Sequence, residues 1–286
     1  MKTIQWYPGH MAKAMRMMGE NLNLCDAVVF VLDARAPASS YNPKLRELSA
    51  GKPVLYLFNK GDLADGKADG LKSLAEKSGK VCLKIAANSP ASSRALMQAM
   101  TALVRDKAEK LKEKGSGKPL RFLIAGVPNT GKSTVINLLC GGKKAQVGDK
   151  AGVTRAKQWV KCGAFELMDT PGTMPPACEN QARARRLAYV GSINDDILEM
   201  DEIALALLEE LAKEYPAALN ERYGIEEGME PLEMLNKVCA RRGFILKGND
   251  FDYERGERAL IDDFRKGKLG KVCLDSADDM KEAGLI

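Results

Sequence analysis

The run Gly126-Val-Pro-Asn-Thr-Gly-Lys-Ser133 has the G-x-x-x-x-G-K-S spacing of a loop that cradles phosphate. Its glycines let backbone N–H groups turn inward onto phosphate oxygens, and a helix starting there adds positive potential. Pro128, Asn129, Thr130, Gly131, Lys132, Ser133 and Thr134 are therefore expected to line a nucleoside triphosphate. In such a loop Lys132 reaches the β- and γ-phosphates as a catalytic cation, and Ser133 offers its hydroxyl to Mg²⁺. A glycine-rich turn with no ligand is the plainer alternative. An apolar strand pattern before the loop and a helical pattern after it argue against that alternative. The motif says nothing about the base.

The base is addressed by Asn59-Lys-Gly-Asp62, which follows the apolar run Val54–Phe58. The Asp62 carboxylate would accept hydrogen bonds from guanine N1–H and the 2-amino group; adenine lacks both donors there and would leave a buried carboxylate unpaired. The Lys60 stem would lie over the base and Asn59 would brace the neighbouring loops. Ala86, Ala87 and Asn88, after the next apolar run, suit the companion loop whose backbone N–H meets guanine O6. Asp169-Thr-Pro-Gly172 lies 43 residues after Gly126. There Asp169 would reach Mg²⁺ through water, and the Gly172 N–H would sense the γ-phosphate. Between them, Thr154 of Ala151-Gly-Val-Thr154 occupies the expected first switch. Its hydroxyl is a further Mg²⁺ and catalytic candidate on position alone.

These motifs run in an unusual order, with the guanine motif ahead of the phosphate loop. A single sheet accommodates that order if the old termini are joined near Gly115-Ser-Gly-Lys-Pro119 and a new break is opened after Gly172. The reading is thus a circularly permuted P-loop GTPase domain of α/β class, over residues 1–178. The second switch then leads directly into the tail, so nucleotide state could move the tail as a lever.

The elements that must position these residues are legible as alternating runs. Ala27–Leu32, Val54–Phe58, Val81–Ile85 and Leu120–Ala125 have strand length and composition, and 157–162 with 164–168 read as a hairpin about Gly163. Helices are expected over Ala12–Asn21, Leu71–Lys77, Ser92–Lys112 and Ser133–Leu139. Such alternation predicts a mostly parallel sheet with helices on both faces. From about Gln181 the pattern turns helical. Ile203, Leu207, Leu208 and Leu211 share one stripe, Pro231 opens another helix, and a last one runs from about Tyr253 to Lys266. A small all-α domain over 179–286 follows.

Charge divides along the same line. Residues 1–175 hold 28 Lys and Arg against 14 Asp and Glu, whereas 176–286 hold 16 against 24. The basic part suits a polyanion, although nucleotide phosphates or plain solvation would account for some of it. Within the acidic tail the basic islands are Arg183/Arg185/Arg186, Lys237/Arg241/Arg242 and Arg265/Lys266/Lys268/Lys271. Seven dispersed cysteines without a Cys-x-x-Cys pair argue for reduced thiols in a cytoplasmic protein, and against a zinc site. No apolar run is long enough for a membrane span. A monomer without membrane or DNA partners is expected.

With these residues in place, the chain resembles the bacterial ribosome biogenesis GTPase A family. The likeness includes Trp6-Tyr-Pro-Gly-His-Met11, Asp33-Ala-Arg35, Gly148-Asp-Lys-Ala-Gly-Val-Thr154 and Asp263-Phe-Arg-Lys-Gly-Lys-Leu-Gly270. The resemblance implies GTP and GDP as ligands, the large ribosomal subunit and its rRNA as partners, and hydrolysis stimulated by the ribosome. It also makes His10 the candidate for orienting the attacking water. The position after Gly172 that often carries Gln holds Thr173, where relatives are apolar. Docking of the N-terminal arm is the alternative role for His10. By the same resemblance Asn129 is a candidate K⁺ ligand beside the phosphates; a turn-forming Asn is the alternative. Three other functions compete: a GTPase switch that recruits a protein without RNA, a nucleotide-binding module without hydrolysis, and an ATPase. Intact Lys132, Ser133 and Asp169 oppose the second and Asp62 the third.

Overall fold

A computed structural model describes residues 3, 4, 6, 9–142, 145, 158–174 and 180–286, with the side chains of 9–12 and 158 left out. Thr154 and the boundary at 178 lie outside the described residues, as does the side chain of His10. The first element is helix α1 (Gly9–Leu22), followed by β1 (Ala27–Asp33), α2 (Pro43–Leu48), β2 (Val54–Asn59), α3 (Gly66–Lys77) and β3 (Val81–Lys84). Then come α4 (Ser92–Leu103), α5 (Arg105–Glu113), β4 (Leu120–Ala125), α6 (Lys132–Cys140), β5 (Gln158–Cys162) and β6 (Phe165–Asp169). The tail holds α7 (Gln181–Tyr189), α8 (Met200–Glu214), α9 (Pro216–Tyr223), α10 (Pro231–Arg242), α11 (Tyr253–Arg265) and α12 (Ala277–Glu282).

The strands form one sheet in the order β3-β2-β1-β4-β6-β5, parallel except for the β5–β6 hairpin. β1 alternates strictly. Val28, Phe30 and Leu32 pack on one face with residues of α1 and α3, while Ala27, Val29 and Val31 pack on the other with residues of α4 and α6. Both faces are covered, so the strands read as continuous apolar runs rather than as an apolar–polar alternation. The single helix expected over 92–112 is two, broken at Val104, whose φ of −116° and ψ of 18° end α4. Val104 is 4% exposed: burying that side chain in the core turns the chain, and the highly charged α5 continues at the surface. The first turn of α3, not expected from the sequence, is organised by Asp65, whose carboxylate accepts from the Lys67 N–H.

In the tail, α8 buries Ile203, Leu207, Leu208 and Leu211 as its stripe predicts, against α10 and α11. That core also takes in Val127 from the phosphate loop, Met174 from the segment after Gly172, and Trp6. The end of the chain turns back: Cys273, Met280, Ala283 and Leu285 belong to the core on the α1–α3 face of the sheet. No helix among the described residues is long and apolar enough to cross a membrane.

Candidate functional site

The order of the strands fixes the place of the site. β1, β2 and β3 step outward in one direction and β4 and β6 in the other, so the loops after β1 and β4 part at the carboxyl edge of the sheet. Ligands of open α/β sheets bind at such a divide. Asp33, Asn59, Gly126 and Asp169 all leave their strands at that edge, with Asp33 in register with Asn59 and Ile124 with Asp169.

The phosphate loop joins β4 to α6 through backbone only a glycine accepts at two points. Gly126 has φ +154° and Gly131 φ +91°, and a Cβ would strike the Val31 carbonyl in the first case and the Asn59 side chain in the second. Asn129 also sits at positive φ, +59°. The Lys132 ammonium donates to the Val127 carbonyl at 2.8 Å across the loop. Burial pushes that ammonium down to about 8 against the pull of Asp169. Gly172 lies against the loop so closely that a Cβ would come within 2.6 Å of the Pro128 nitrogen.

Asn59 ties the base side of the site to the phosphate side. Its amide nitrogen donates to the Thr130 carbonyl at 2.8 Å, and its oxygen accepts from the Ala87 N–H at 3.0 Å. One buried side chain thus holds three loops. The Asp62 carboxylate is exposed at the rim and accepts from the Asn88 amide at 3.0 Å. The Gly61 N–H donates to the Ile85 carbonyl at 2.8 Å, fixing the guanine loop against the start of the companion loop.

For a hard cation the decisive atoms belong to Ser133 and Asp169. The Ser133 hydroxyl donates to Asp169 Oδ2 at 3.1 Å, and Asp169 Oδ1 is buried without a hydrogen-bond partner among the described residues. Burial raises the Asp169 carboxyl, only partly offset by Ser133 and Lys132. An orphaned carboxylate oxygen beside a serine hydroxyl suits the all-oxygen shell of Mg²⁺.

Two residues belong to the site without bearing a nucleotide motif. Lys60 does not stand free: its ammonium pairs with Asp33 Oδ2 at 2.8 Å, and Arg35 holds the same carboxylate through Nε at 2.9 Å and a second nitrogen at 2.8 Å. The available signal was a carboxylate closing an apolar strand. The tail also touches the phosphate loop, the Ser192 hydroxyl donating to the Pro128 carbonyl at 2.7 Å and the Asn129 amide to the Gly191 carbonyl at 2.5 Å. Within the first basic island, Arg186 is committed to Glu210, Asp275 and Asp279, and Arg183 donates to the Ala38 carbonyl. These arginines hold the fold together.

The chain is similar to known GTPases. A family model described as "50S ribosome-binding GTPase" matches residues 121–237. The chain is 39% identical over 284 residues to ribosome biogenesis GTPase A of Bacillus cereus, covering 98% of this chain and 96% of that protein. It is 37% identical to the protein of the same name from Priestia megaterium, over 98% of this chain and 99% of that one. Among solved structures, GNP-bound YlqF from T. maritima superimposes with a TM-score of 0.63 at 27% identity, over 93% of this chain and 99% of that one.

Proposed function

The chain belongs to the ribosome biogenesis GTPase A family, and from that premise we propose that it acts in assembly of the large ribosomal subunit, with hydrolysis stimulated by that subunit. It is a GTPase with a circularly permuted P-loop domain and a helical tail. In the proposed complex Asp62 accepts from the guanine edge, the Ala87 N–H faces O6 and the Lys60 stem covers the base. Pro128 to Thr134 surround the phosphates, with the Lys132 ammonium turned from the Val127 carbonyl onto phosphate oxygens, and the Gly172 N–H faces the terminal phosphate. Ser133, Asp169 and Thr154 would hold Mg²⁺, which would supply positive charge to offset that of the phosphates. The observation that carries the reading is the Asn59 amide, which braces the guanine loop, the companion loop and the phosphate loop at once.

RNA contact is proposed for the basic GTPase domain, taken as residues 1–178, and for one part of the tail. Arg222, Arg241, Arg242 and Lys268 line a notch of about 410 Å³. Three of them share the single buried carboxylate of Asp263, which leaves positive charge in excess. A polyphosphate backbone suits that excess. We further propose K⁺ at Asn129, a monomer and a cytoplasmic setting. The test is GTP turnover with and without purified large subunits, together with co-sedimentation across a salt series. Stimulated turnover and binding that weakens steeply with salt are expected. Absence of both would leave a GTPase with some other partner.

A further inference from the structure

We infer that Asp33 and Arg35 are positioning residues that tie the guanine-reading loop to the end of α11, so that guanine binding and seating of the tail reinforce each other. The inference rests on the reading of Lys60 and Asp62 as base-contacting residues. It starts from the Asp33 carboxylate, which is fully buried and shared by two cations. Burial alone would raise this carboxyl, but Arg35 and Lys60 overcome that and hold it well below the usual carboxylate range. Oδ1 accepts from Arg35 Nε and from the Arg35 backbone N–H, while Oδ2 accepts from Arg35 and Lys60.

Two cations on one carboxylate leave a surplus positive charge in a buried place, and the fold answers it with a helix end. The remaining Arg35 nitrogen donates to the Phe264 carbonyl at 3.1 Å and the Arg265 carbonyl at 3.2 Å, the last turn of α11, where the helix dipole is negative. The guanidinium also stands over the Phe264 ring, 5.2 Å from its centroid. Arg35 is 1% exposed, so bulk solvent does not reach these partners. If the α11 end withdraws, Arg35 loses its acceptors and Asp33 must compensate it more fully, at the expense of Lys60.

The same stretch of tail grips the guanine loop at two further points. At Gly267, φ +71°, a Cβ would come within 2.6 Å of the Leu63 side chain, next to Asp62. The Val272 N–H donates to the Leu63 carbonyl at 3.1 Å, and the Leu274 N–H to the Arg35 carbonyl at 2.7 Å. Residues 264–274 therefore embrace the loop that reads the base. On the other side Arg265 donates to the carbonyls of Ala188 and Tyr189, beside the Gly191 that meets Asn129 of the phosphate loop.

The test is a double-mutant cycle on GDP affinity by calorimetry, with Arg35→Gln, Lys60→Met and the pair, each checked for folding by circular dichroism. If both residues act through Asp33, each single change weakens binding about tenfold and the pair also about tenfold, since coupled effects do not add. Losses that multiply to about a hundredfold in the pair, or an Arg35→Gln protein that binds GDP within a factor of about two of wild type, would overturn the inference. Hydrogen exchange of amides 264–274 gives a second reading. GDP should slow exchange there in wild type, and the slowing should vanish in Arg35→Gln. Should that variant not fold, Arg35→Lys keeps the charge on Asp33 but not the fork that reaches α11. Full retention of the slowing in Arg35→Lys would count against the tie. An Asp62→Ala arm separates the two ideas: undiminished affinity in that variant removes the base reading itself, whereas weakened affinity with a multiplicative cycle removes only the tie.

Discussion

Lys132 is the residue whose titration should be visible in nucleotide affinity. In the free protein its ammonium, pushed down to about 8 by burial, has one carbonyl partner and the carboxylate of Asp169 nearby. Phosphate oxygens favour the charged form, so the complex keeps the proton to higher pH than the free protein does. Below pH 8 both states carry it and affinity is indifferent to this group. Above pH 8 binding must take up a proton, and the dissociation constant should rise about tenfold per pH unit until the bound lysine itself titrates. GDP titrations from pH 7 to 9.5 check this. A flat profile would return Lys132 to the ordinary range, and Lys132→Ala should lose both the affinity and the slope. Lys132, Asn59, Asp62, Ser133 and Asp169 were legible in the sequence because each lies in a short motif whose spacing is its meaning. Asp33 and Arg35 were visible as residues but not as a link, because Arg35 finds its carbonyl acceptor 229 residues away at Phe264.

At the scale of elements, α7 shows how a charge run can be structural. Arg186 places one guanidinium among Glu210 of α8, Asp279 of α12 and Asp275, which is fully buried and also accepts from Ser39 of the sheet domain. Arg186→Gln leaves that carboxylate without its cation, and uncompensated buried charge costs about 3–5 kcal/mol. Denaturant unfolding should show a loss of that order. The loss should shrink on acidification, because burial already pushes the Asp275 carboxyl up and a native state that takes up the proton gains stability as pH falls. A loss below about 1 kcal/mol, the ordinary worth of an exposed pair, would mean that Arg186 contributes only as a surface charge. From the sequence the three arginines of 183–186 looked like an RNA island, since the acidic partners of Arg186 lie along the chain at Glu210, Asp275 and Asp279. The apolar stripe of α8 was legible because its periodicity is local. The break at Val104 was not: what separates α4 from α5 is the burial of one side chain against the sheet.

At the scale of the whole molecule, nucleotide chemistry and tail are not separate layers. Val127 and Met174 carry the phosphate loop and the segment after Gly172 into the tail core, and the chain end returns to the sheet. The N-terminal arm joins the same assembly: Trp6 is buried in that core, and the Ile4 N–H donates to the Gln181 side chain at 2.9 Å. His10 follows at the start of α1. Thr173, at the position where many GTPases carry Gln, is fully buried, and its hydroxyl has no partner among the described residues. Its N–H and carbonyl are engaged by Gly126 and Asn42. A side chain enclosed in this way is poorly placed to orient water at the γ-phosphate, so that group must come from another element, and the resemblance points to His10 for it. If the ribosome brings His10 to the nucleotide, the isolated protein should be a slow GTPase. His10→Ala should then keep its affinity for GTP and large subunits while losing about 10²–10⁴-fold of the stimulated rate, as expected of a positioned proton-handling group. Single-turnover hydrolysis with both ligands saturating decides it: a rate within a factor of about two of wild type, far short of the loss such groups cause, would leave His10 as a residue that docks the arm beside Trp6.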